Sequence, residues 1–197
     1  MTSLPRPLIA FVRLTDKLNY GVGRFAMYLL FALMAILMWS SISKIFFNPS
    51  LWTLEMAQFI MVAYYILGGP YSMQLGSHVR MDLFYARQSP KRRAVWDGFT
   101  VFVVAFYMVV LIWGAAESFG YSLGLKWEGL LPEIGRLERS PTAWRPYLWP
   151  LKVTICLAFL LMFLQAVAHL IRDVATLRGV DLGPYPGRDQ HATAEVM

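Results

Sequence analysis

Long apolar runs without a single charged side chain dominate this chain. Four of them cover residues 25–43, 56–77, 98–116 and 153–171, and none contains Asp, Glu, Lys or Arg. A helix needs about 20 apolar residues to cross a hydrocarbon core about 30 Å thick. Each run has roughly that length, so the pattern predicts four membrane-spanning helices.

The fold class that follows is an all-α membrane protein with four transmembrane helices in one domain, residues 25–172. The predicted spans are about 25–45, 54–77, 97–117 and 150–171. Residues 173–197 are predicted to form a flexible cytoplasmic tail.

The first 24 residues are expected to form a separate amphipathic helix on the cytoplasmic membrane surface. In this segment, residues 1–24, the basic side chains of Arg6, Arg13 and Lys17 alternate at helical spacing with apolar ones such as Leu8. Helices of this kind lie in the interface plane with their apolar face towards the acyl chains. A basic tail without fixed structure is the alternative.

The distribution of Lys and Arg predicts the orientation of the spans. Twelve of the 18 Lys and Arg residues lie in the N-terminal segment, in the loop between the second and third spans, and in the tail. Cytoplasmic loops carry an excess of Lys and Arg. Both termini and the middle loop are therefore predicted to be cytoplasmic.

Composition agrees with a membrane protein and disfavours a nucleic-acid partner. The 197 residues are 57% hydrophobic and 15% charged, and their mean hydropathy is +0.49. A soluble domain is about one quarter charged. The net charge of +6 comes from basic residues that separate by side of the membrane and form no continuous patch.

Few side chains are available for redox or metal chemistry. Cys156 is the single cysteine, so neither a disulfide nor a paired-thiol redox site can form within the chain. The three histidines are His78, His169 and His191. Haem ligation in a four-helix cytochrome needs pairs of axial ligands within the bundle. No cofactor, metal site or catalytic residue is therefore expected.

The start of the second span carries two candidate packing residues. Trp52 is expected at the outer interface, where indole rings are enriched. Glu55 follows three residues later, near the positive end of the helix dipole, which favours a carboxylate. A pairing of Glu55 with Lys44 and a pairing with a partner chain both remain open.

A helix-weakening triplet lies further along the same span. Gly68 and Gly69 permit close approach of a neighbouring helix, and Pro70 removes a backbone donor. The triplet is predicted to interrupt the helix, either for packing alone or as a hinge.

The segment that follows this span contains some of the residues on which a family resemblance rests. His78, Arg80 and Asp82 alternate with apolar residues and are expected to hold the cytoplasmic end of the span. Together with the four-span outline and Trp52-x-x-Glu55, this segment resembles the small permease subunit (DctQ-like) of tripartite ATP-independent periplasmic (TRAP) transporters. Further similar features are Pro90-x-Arg92-Arg93, the run from Trp144 to Lys152 that contains Arg145 and Trp149, and Gln165.

The resemblance implies a supporting role in a bacterial inner-membrane complex. In that family a large permease subunit (DctM-like) carries the substrate and sodium sites, and a periplasmic solute-binding protein delivers an organic anion. The small subunit packs beside the large one as immobile scaffold. The chain is then expected to be no enzyme, to hold no cofactor of its own, and to contact the lipid bilayer and these two proteins.

The connection before the last span leaves two interpretations open. It covers residues 117–152 and is rich in Trp and Pro, with Trp144 among them. Such a surface either contacts a periplasmic protein or forms an aromatic belt and cap over the bundle. Glu117 and Lys152 are predicted to lie at the same level and to pair.

Two other function classes remain. A self-sufficient oligomeric channel or transporter would need polar pore-lining stripes, and a four-helix membrane enzyme would need a catalytic cluster near one interface. The residues nearest to such a cluster are His78, Arg80 and Asp82, which lack a nucleophile nearby. Both alternatives predict activity from this chain alone.

Overall fold

The computed structural model describes residues 5–75, 90–126 and 133–177, and four long helices make up most of them. The elements are α1 (Arg6–Phe46), α2 (Thr53–Leu75), α3 (Pro90–Ser122), β1 (Leu125–Lys126), β2 (Glu133–Ile134) and α4 (Trp149–Leu177). The predicted helical architecture is confirmed, apart from the short ribbon of β1 and β2. His78, Arg80 and Asp82, which are predicted to hold the cytoplasmic end of the second span, lie outside the described residues.

Proline and hydroxyl residues set the helix starts. Pro90 occupies the first turn of α3, where its missing backbone donor costs nothing. Before α2, the Thr53 hydroxyl donates to the Ser50 carbonyl at 3.1 Å. The amide of Met56 then donates to the Trp52 carbonyl at 3.1 Å, which closes the first helical turn.

The N-terminal segment is part of α1 and does not form a separate helix. α1 runs for 41 residues without a break at residue 24, a length of roughly 60 Å at 1.5 Å per residue. Its buried positions Val12, Asp16, Asn19, Gly23 and Ala26 recur every three or four residues, so one helix face stays buried across the expected boundary. The packing of that face explains why the helix continues.

The predicted interruption of the second span is also absent. α2 continues through Gly68, Gly69 and Pro70 to Leu75, and Pro70 is buried. A Cβ atom added at Gly69 would lie 3.1 Å from the Met162 sulfur, whereas one at Gly68 would meet nothing within 4 Å. Gly69 alone of the two glycines lies at a close helix contact.

Within the described residues, three of the four long helices are long and apolar enough to cross a membrane. They are Arg6–Phe46, Phe102–Ser122 and Trp149–Arg172. α2 falls outside this group, and it carries Gln58 and Gln74 among its apolar residues. Many large apolar side chains on α1 and α3 are exposed, which suits contact with lipid or a partner helix.

The chain divides into two compact units. The first comprises Met1–Gly23, Gly69–Val110 and Leu160–Met197, and its buried residues include Val12, Met73, Leu161, Ala166 and Ala168. The second comprises Arg24–Gly68 and Leu111–Phe159, and its buried residues include Ala26, Ala57, Leu67 and Ala158.

β1 and β2 pair antiparallel in the second unit, with Leu125 opposite Ile134 and Lys126 opposite Glu133. An isolated antiparallel bridge joins Arg139 to Tyr147. The segment between α3 and α4, residues 123–148, is called the cap below. Its backbone therefore folds back on itself twice before α4 begins.

Candidate functional site

A buried polar cluster joins three helices of the first unit. The Asp16 cluster consists of Asp16 and Asn19 from α1, Gln74 from α2, and Gln165 and Arg172 from α4. Asp16 is 1% exposed, and Asn19, Gln74 and Gln165 are fully buried. Polar groups away from water require partners, and the hydrogen bonds described below come from within the cluster.

Asp16 is the centre of this cluster. One carboxylate oxygen, Oδ1, accepts from Gln165 Nε2 at 3.1 Å, and the other accepts from the Arg172 guanidinium in an ion pair. Gln74 Nε2 donates to the Asp16 backbone carbonyl at 3.1 Å. A single residue of α1 is thus bonded to both α2 and α4.

Gln165 extends the network to a second residue of α1. Its Oε1 accepts from Asn19 Nδ2 at 2.6 Å, so the amide bridges Asn19 and Asp16, which lie one helical turn apart. A turn further along α4, His169 Nε2 donates to the Met73 carbonyl of α2 at 3.0 Å. The register of α4 against α1 and α2 is therefore specified by side-chain hydrogen bonds.

Two acceptors in the cluster have no donor among the described residues. They are Asn19 Oδ1 and Gln74 Oε1, both fully buried. Buried carbonyl oxygens of this kind are the usual partners of internal water.

Close packing of α1 on α2 accompanies these hydrogen bonds. A Cβ atom added at Gly23 would lie 2.3 Å from Tyr71 Cγ, and the rings of Tyr20 and Tyr71 have centroids 6.0 Å apart. Only a glycine leaves room for the Tyr71 ring at this crossing. Small residues commonly allow such helix contacts in membranes.

Sequence reasoning singled out Gln165 but missed the other members of the cluster, Asp16, Asn19, Gln74 and Arg172. Arg172 directly follows the charge-free run that ends at residue 171, and Asp16 lies in the N-terminal segment that the sequence places on the membrane surface. A usable signal was present, because Asp16 and Asn19 lie three residues apart on one helix face. The pairing with α4, however, is invisible in the sequence.

The cap of the second unit depends on two facing glycines. Gly124 has a φ of 63°, a left-handed conformation that suits glycine. The amide of Gly135 donates to the Gly124 carbonyl at 3.1 Å, and a Cβ atom at Gly135 would lie 2.7 Å from that oxygen. Neither position has space for a side chain, so these glycines allow β1 and β2 to pair.

Lys152 joins the cap to the ends of α3 and α4. Its Nζ lies 2.6 Å from Glu138 Oε2 and donates to the Ser118 carbonyl at 3.2 Å. The hydrogen bond from Lys152 lowers the pKa of Glu138, and the Ser122 hydroxyl adds to the effect, while partial burial opposes it. The predicted pairing of Lys152 with Glu117 is wrong, because the cap brings Glu138 to the ammonium group and leaves Glu117 exposed.

Glu55 joins the cap to the start of α2. It is 4% exposed, and its Oε1 accepts from the Ser140 hydroxyl at 3.1 Å. An ion pair between Glu55 and Lys44, one of the two pairings left open by the sequence, is absent from the described part of the chain, where Lys44 is exposed. Glu55 Oε2 has no donor among the described residues.

A chain of hydroxyl groups connects the end of α1 to the start of α2. Thr53 Oγ1 lies 3.2 Å from Ser40 Oγ and 3.0 Å from Ser50 Oγ. Ser50 Oγ in turn lies 3.2 Å from Ser43 Oγ. These bonds hold the short turn between the two helices.

Three arginines line a cavity on the cap. Arg136, Arg139 and Arg145 are exposed and border a cavity of about 1070 Å³. The Arg139 guanidinium lies 4.5 Å from the centre of the Tyr147 ring and donates to the Tyr147 hydroxyl. Arg145 has a φ of 52°, a left-handed conformation that is unusual for a residue with a side chain.

The two candidate tryptophans lie at the surface of the second unit. Trp52 is 38% exposed and Trp144 is 41% exposed. Within residues 5–75, 90–126 and 133–177, no group of three or more His, Cys, Asp or Glu side chains is arranged to hold a metal ion. The chemistry visible in the described residues is hydrogen bonding and ion pairing between helices.

The family relationship of the chain follows from its sequence profile. The profile of a family described as tripartite ATP-independent periplasmic transporters, DctQ component, matches residues 33–176. A comparison with curated proteins finds no significant match. The match covers most of the chain, including α2, α3, the cap and nearly all of α4. The chain therefore belongs to the DctQ family, the small permease component of tripartite ATP-independent periplasmic transporters.

Proposed function

We propose that this chain is the small subunit of a sodium-coupled TRAP transporter of the bacterial inner membrane, and that it holds the large permease subunit in place. It has four transmembrane helices with both termini in the cytoplasm, and the cap lies in the periplasm. The single observation that carries the proposal is the family match over residues 33–176. The substrate is an organic anion that a periplasmic binding protein delivers.

The Asp16 cluster supports a scaffold role. Its hydrogen bonds cross from α1 to both α2 and α4 within the first unit, and its most buried side chains bond to one another. Buried polar networks of this type specify one arrangement of helices and make sliding costly. A rigid bundle is what a moving permease subunit needs as a support.

The exposed apolar surface of α3 supports assembly within a membrane. Its exposed side chains recur at helical spacing and include Phe99, Phe102, Phe106, Val110 and Trp113. Helices in lipid associate through packing and occasional hydrogen bonds, without a hydrophobic driving force. A surface of this composition suits both lipid and a neighbouring permease helix.

Recovery of the partner from native membranes tests the proposal. The tagged chain is extracted in mild detergent, and the co-purified proteins are identified and quantified. The expected result is one large polytopic permease in about equal amount. Reconstitution of the pair with the periplasmic binding protein should give sodium-dependent uptake of an organic anion, and the small chain alone should give none.

Two results would contradict the proposal. One is a stable oligomer of this chain alone that conducts solute in liposomes, which would favour an independent channel or transporter. The other is full transport by the large subunit and binding protein in vesicles that lack this chain.

A further inference from the structure

The arginine-lined cavity of the cap has no role in the helix-bundle support described above. Arg136, Arg139 and Arg145 come from a stretch of ten residues, and all three side chains are exposed. They border one cavity of about 1070 Å³ together with Tyr121 and Tyr147. Three guanidinium groups that border one cavity give it a positive potential, which attracts anions.

The cavity carries a net positive charge. Glu138 is the acidic residue among those that line it, and its carboxylate is already paired with Lys152 at 2.6 Å. The lowered pKa of Glu138 reflects that pairing. The charge of the three arginines is therefore not neutralised by the residues that line the cavity.

The cap backbone holds these arginines in a defined arrangement. The amide of Ser140 donates to the Pro146 carbonyl at 2.9 Å, and the amide of Leu148 donates to the Glu138 carbonyl at 3.3 Å. The guanidinium of Arg139 is further positioned by the ring and hydroxyl of Tyr147. A guanidinium has five N–H donors, so the bond to Tyr147 leaves others available.

Arg145 adopts a backbone conformation that costs free energy. Its φ of 52° lies in the left-handed region, which glycine and asparagine occupy more readily than arginine. Strained residues of this kind concentrate at binding sites, where the surrounding structure compensates for them. An arginine at this position suggests that its side chain is needed at the cavity.

We propose that this cavity is an oxyanion-binding site, in which Arg136, Arg139 and Arg145 hold a phosphate or carboxylate group. Planar guanidinium groups bind both anions through paired, charge-assisted hydrogen bonds. The headgroup of an anionic phospholipid and a small free anion are the two sources of this chemistry. The three arginines and the other residues that line the cavity come from this chain, so binding is testable without the large permease subunit.

Titration of the purified full-length chain in an uncharged detergent tests the site. The probes are inorganic phosphate, citrate and dihexanoyl phosphatidylglycerol, at constant ionic strength, with binding followed by calorimetry. Dihexanoyl phosphatidylcholine serves as the zwitterionic control. Binding of phosphatidylglycerol alone identifies a lipid headgroup as the source, whereas binding of phosphate or citrate identifies a free anion, and both results support the site.

Substitutions then locate the binding. Arg139→Gln and Arg145→Gly are each expected to weaken binding about tenfold, since each removes hydrogen bonds to a charged group. Arg13→Gln removes the same charge from an exposed position of α1 and should leave binding unchanged. Arg145→Gly also relieves the backbone strain, so its unfolding temperature should not fall.

Two results would overturn the inference. The first is the absence of binding by all three anionic probes. The second is equal weakening by Arg13→Gln and the two cap variants, which would indicate general attraction to a basic protein. If Arg145→Gly folds normally and binds the anionic probes as tightly as the unsubstituted chain, Arg145 does not contribute to the site.

Discussion

Arg172 of α4 donates to the carboxylate of Asp16 of α1, which lies 156 positions earlier in the chain. Asp16 is 1% exposed, and the Arg172 side chain is 11% exposed. A buried ion pair is costly to break, because the remaining charge loses its partner away from water. This ion pair therefore links α1 to α4 within the first unit.

A double-mutant cycle measures the coupling free energy between Asp16 and Arg172. Asp16→Asn and Arg172→Gln are each expected to lower the free energy of unfolding, because each leaves a buried polar group without its charged partner. The double variant should lose less than the sum of the two, with a coupling of about 1–3 kcal/mol. Unfolding of the purified chain in detergent at increasing denaturant gives the four values, and simple additivity would contradict a direct interaction.

Gln165 offers a test of the amide bridge. Gln165→Leu removes the acceptor for Asn19 and a donor to Asp16, and it should lower the free energy of unfolding by about 1–3 kcal/mol. Gln58 lies at an exposed position of α2, so Gln58→Leu provides the same chemical change without a lost bond. Thermal unfolding followed by size-exclusion chromatography compares them, and equal melting temperatures would exclude a stabilising bridge.

Because α1 and α2 pack closely at Gly23, adding a single methyl group there is predicted to lower the stability of the fold. Gly23→Ala places a Cβ atom 2.3 Å from Tyr71 Cγ, and the rearrangement should cost about 1–3 kcal/mol of stability. Gly21 has nothing within 4 Å of its Cβ position. Gly21→Ala should therefore be neutral or stabilising by up to about 1 kcal/mol, since alanine favours helix.

Scanning calorimetry of both glycine variants checks this prediction. Gly69→Ala is expected between them, because its neighbour is the flexible Met162 thioether at 3.1 Å. A melting temperature of Gly23→Ala at or above that of the unsubstituted chain would rule out the tight crossing.

Glu138 predicts a pH dependence of stability. Lys152 holds its pKa below the ordinary value of 4.5, so the folded state binds the proton less readily than the unfolded state. The stabilisation is present above pH 4.5 and is lost as the pH falls through the lower, folded pKa. Glu138→Gln should lack this acid-dependent component.

Unfolding temperatures measured between pH 3 and pH 7 test the acid dependence. The difference between the unsubstituted chain and Glu138→Gln should shrink towards the acid end. Glu117→Gln is the matched control, since Glu117 is exposed on α3, and it should leave the pH profile unchanged. A constant difference across the range would show that Glu138 contributes no ionised pair.

The number of long helices follows from the sequence alone, because the chain contains four long uncharged runs and each of them overlaps one described helix. The family also follows from local motifs, among them Trp52 and Glu55 at the start of α2. The orientation of the spans follows from the Lys and Arg distribution and remains a prediction. These features depend on residues close together in the chain.

The tertiary structure decided which polar groups meet. Lys152 pairs with Glu138 and not with Glu117, and Glu55 accepts from Ser140, because the cap folds back over the helix ends. The continuity of α1 past residue 24 and of α2 past Pro70 likewise depends on packing. Periodicity identifies a helix face, but the partner of that face depends on contacts between distant residues.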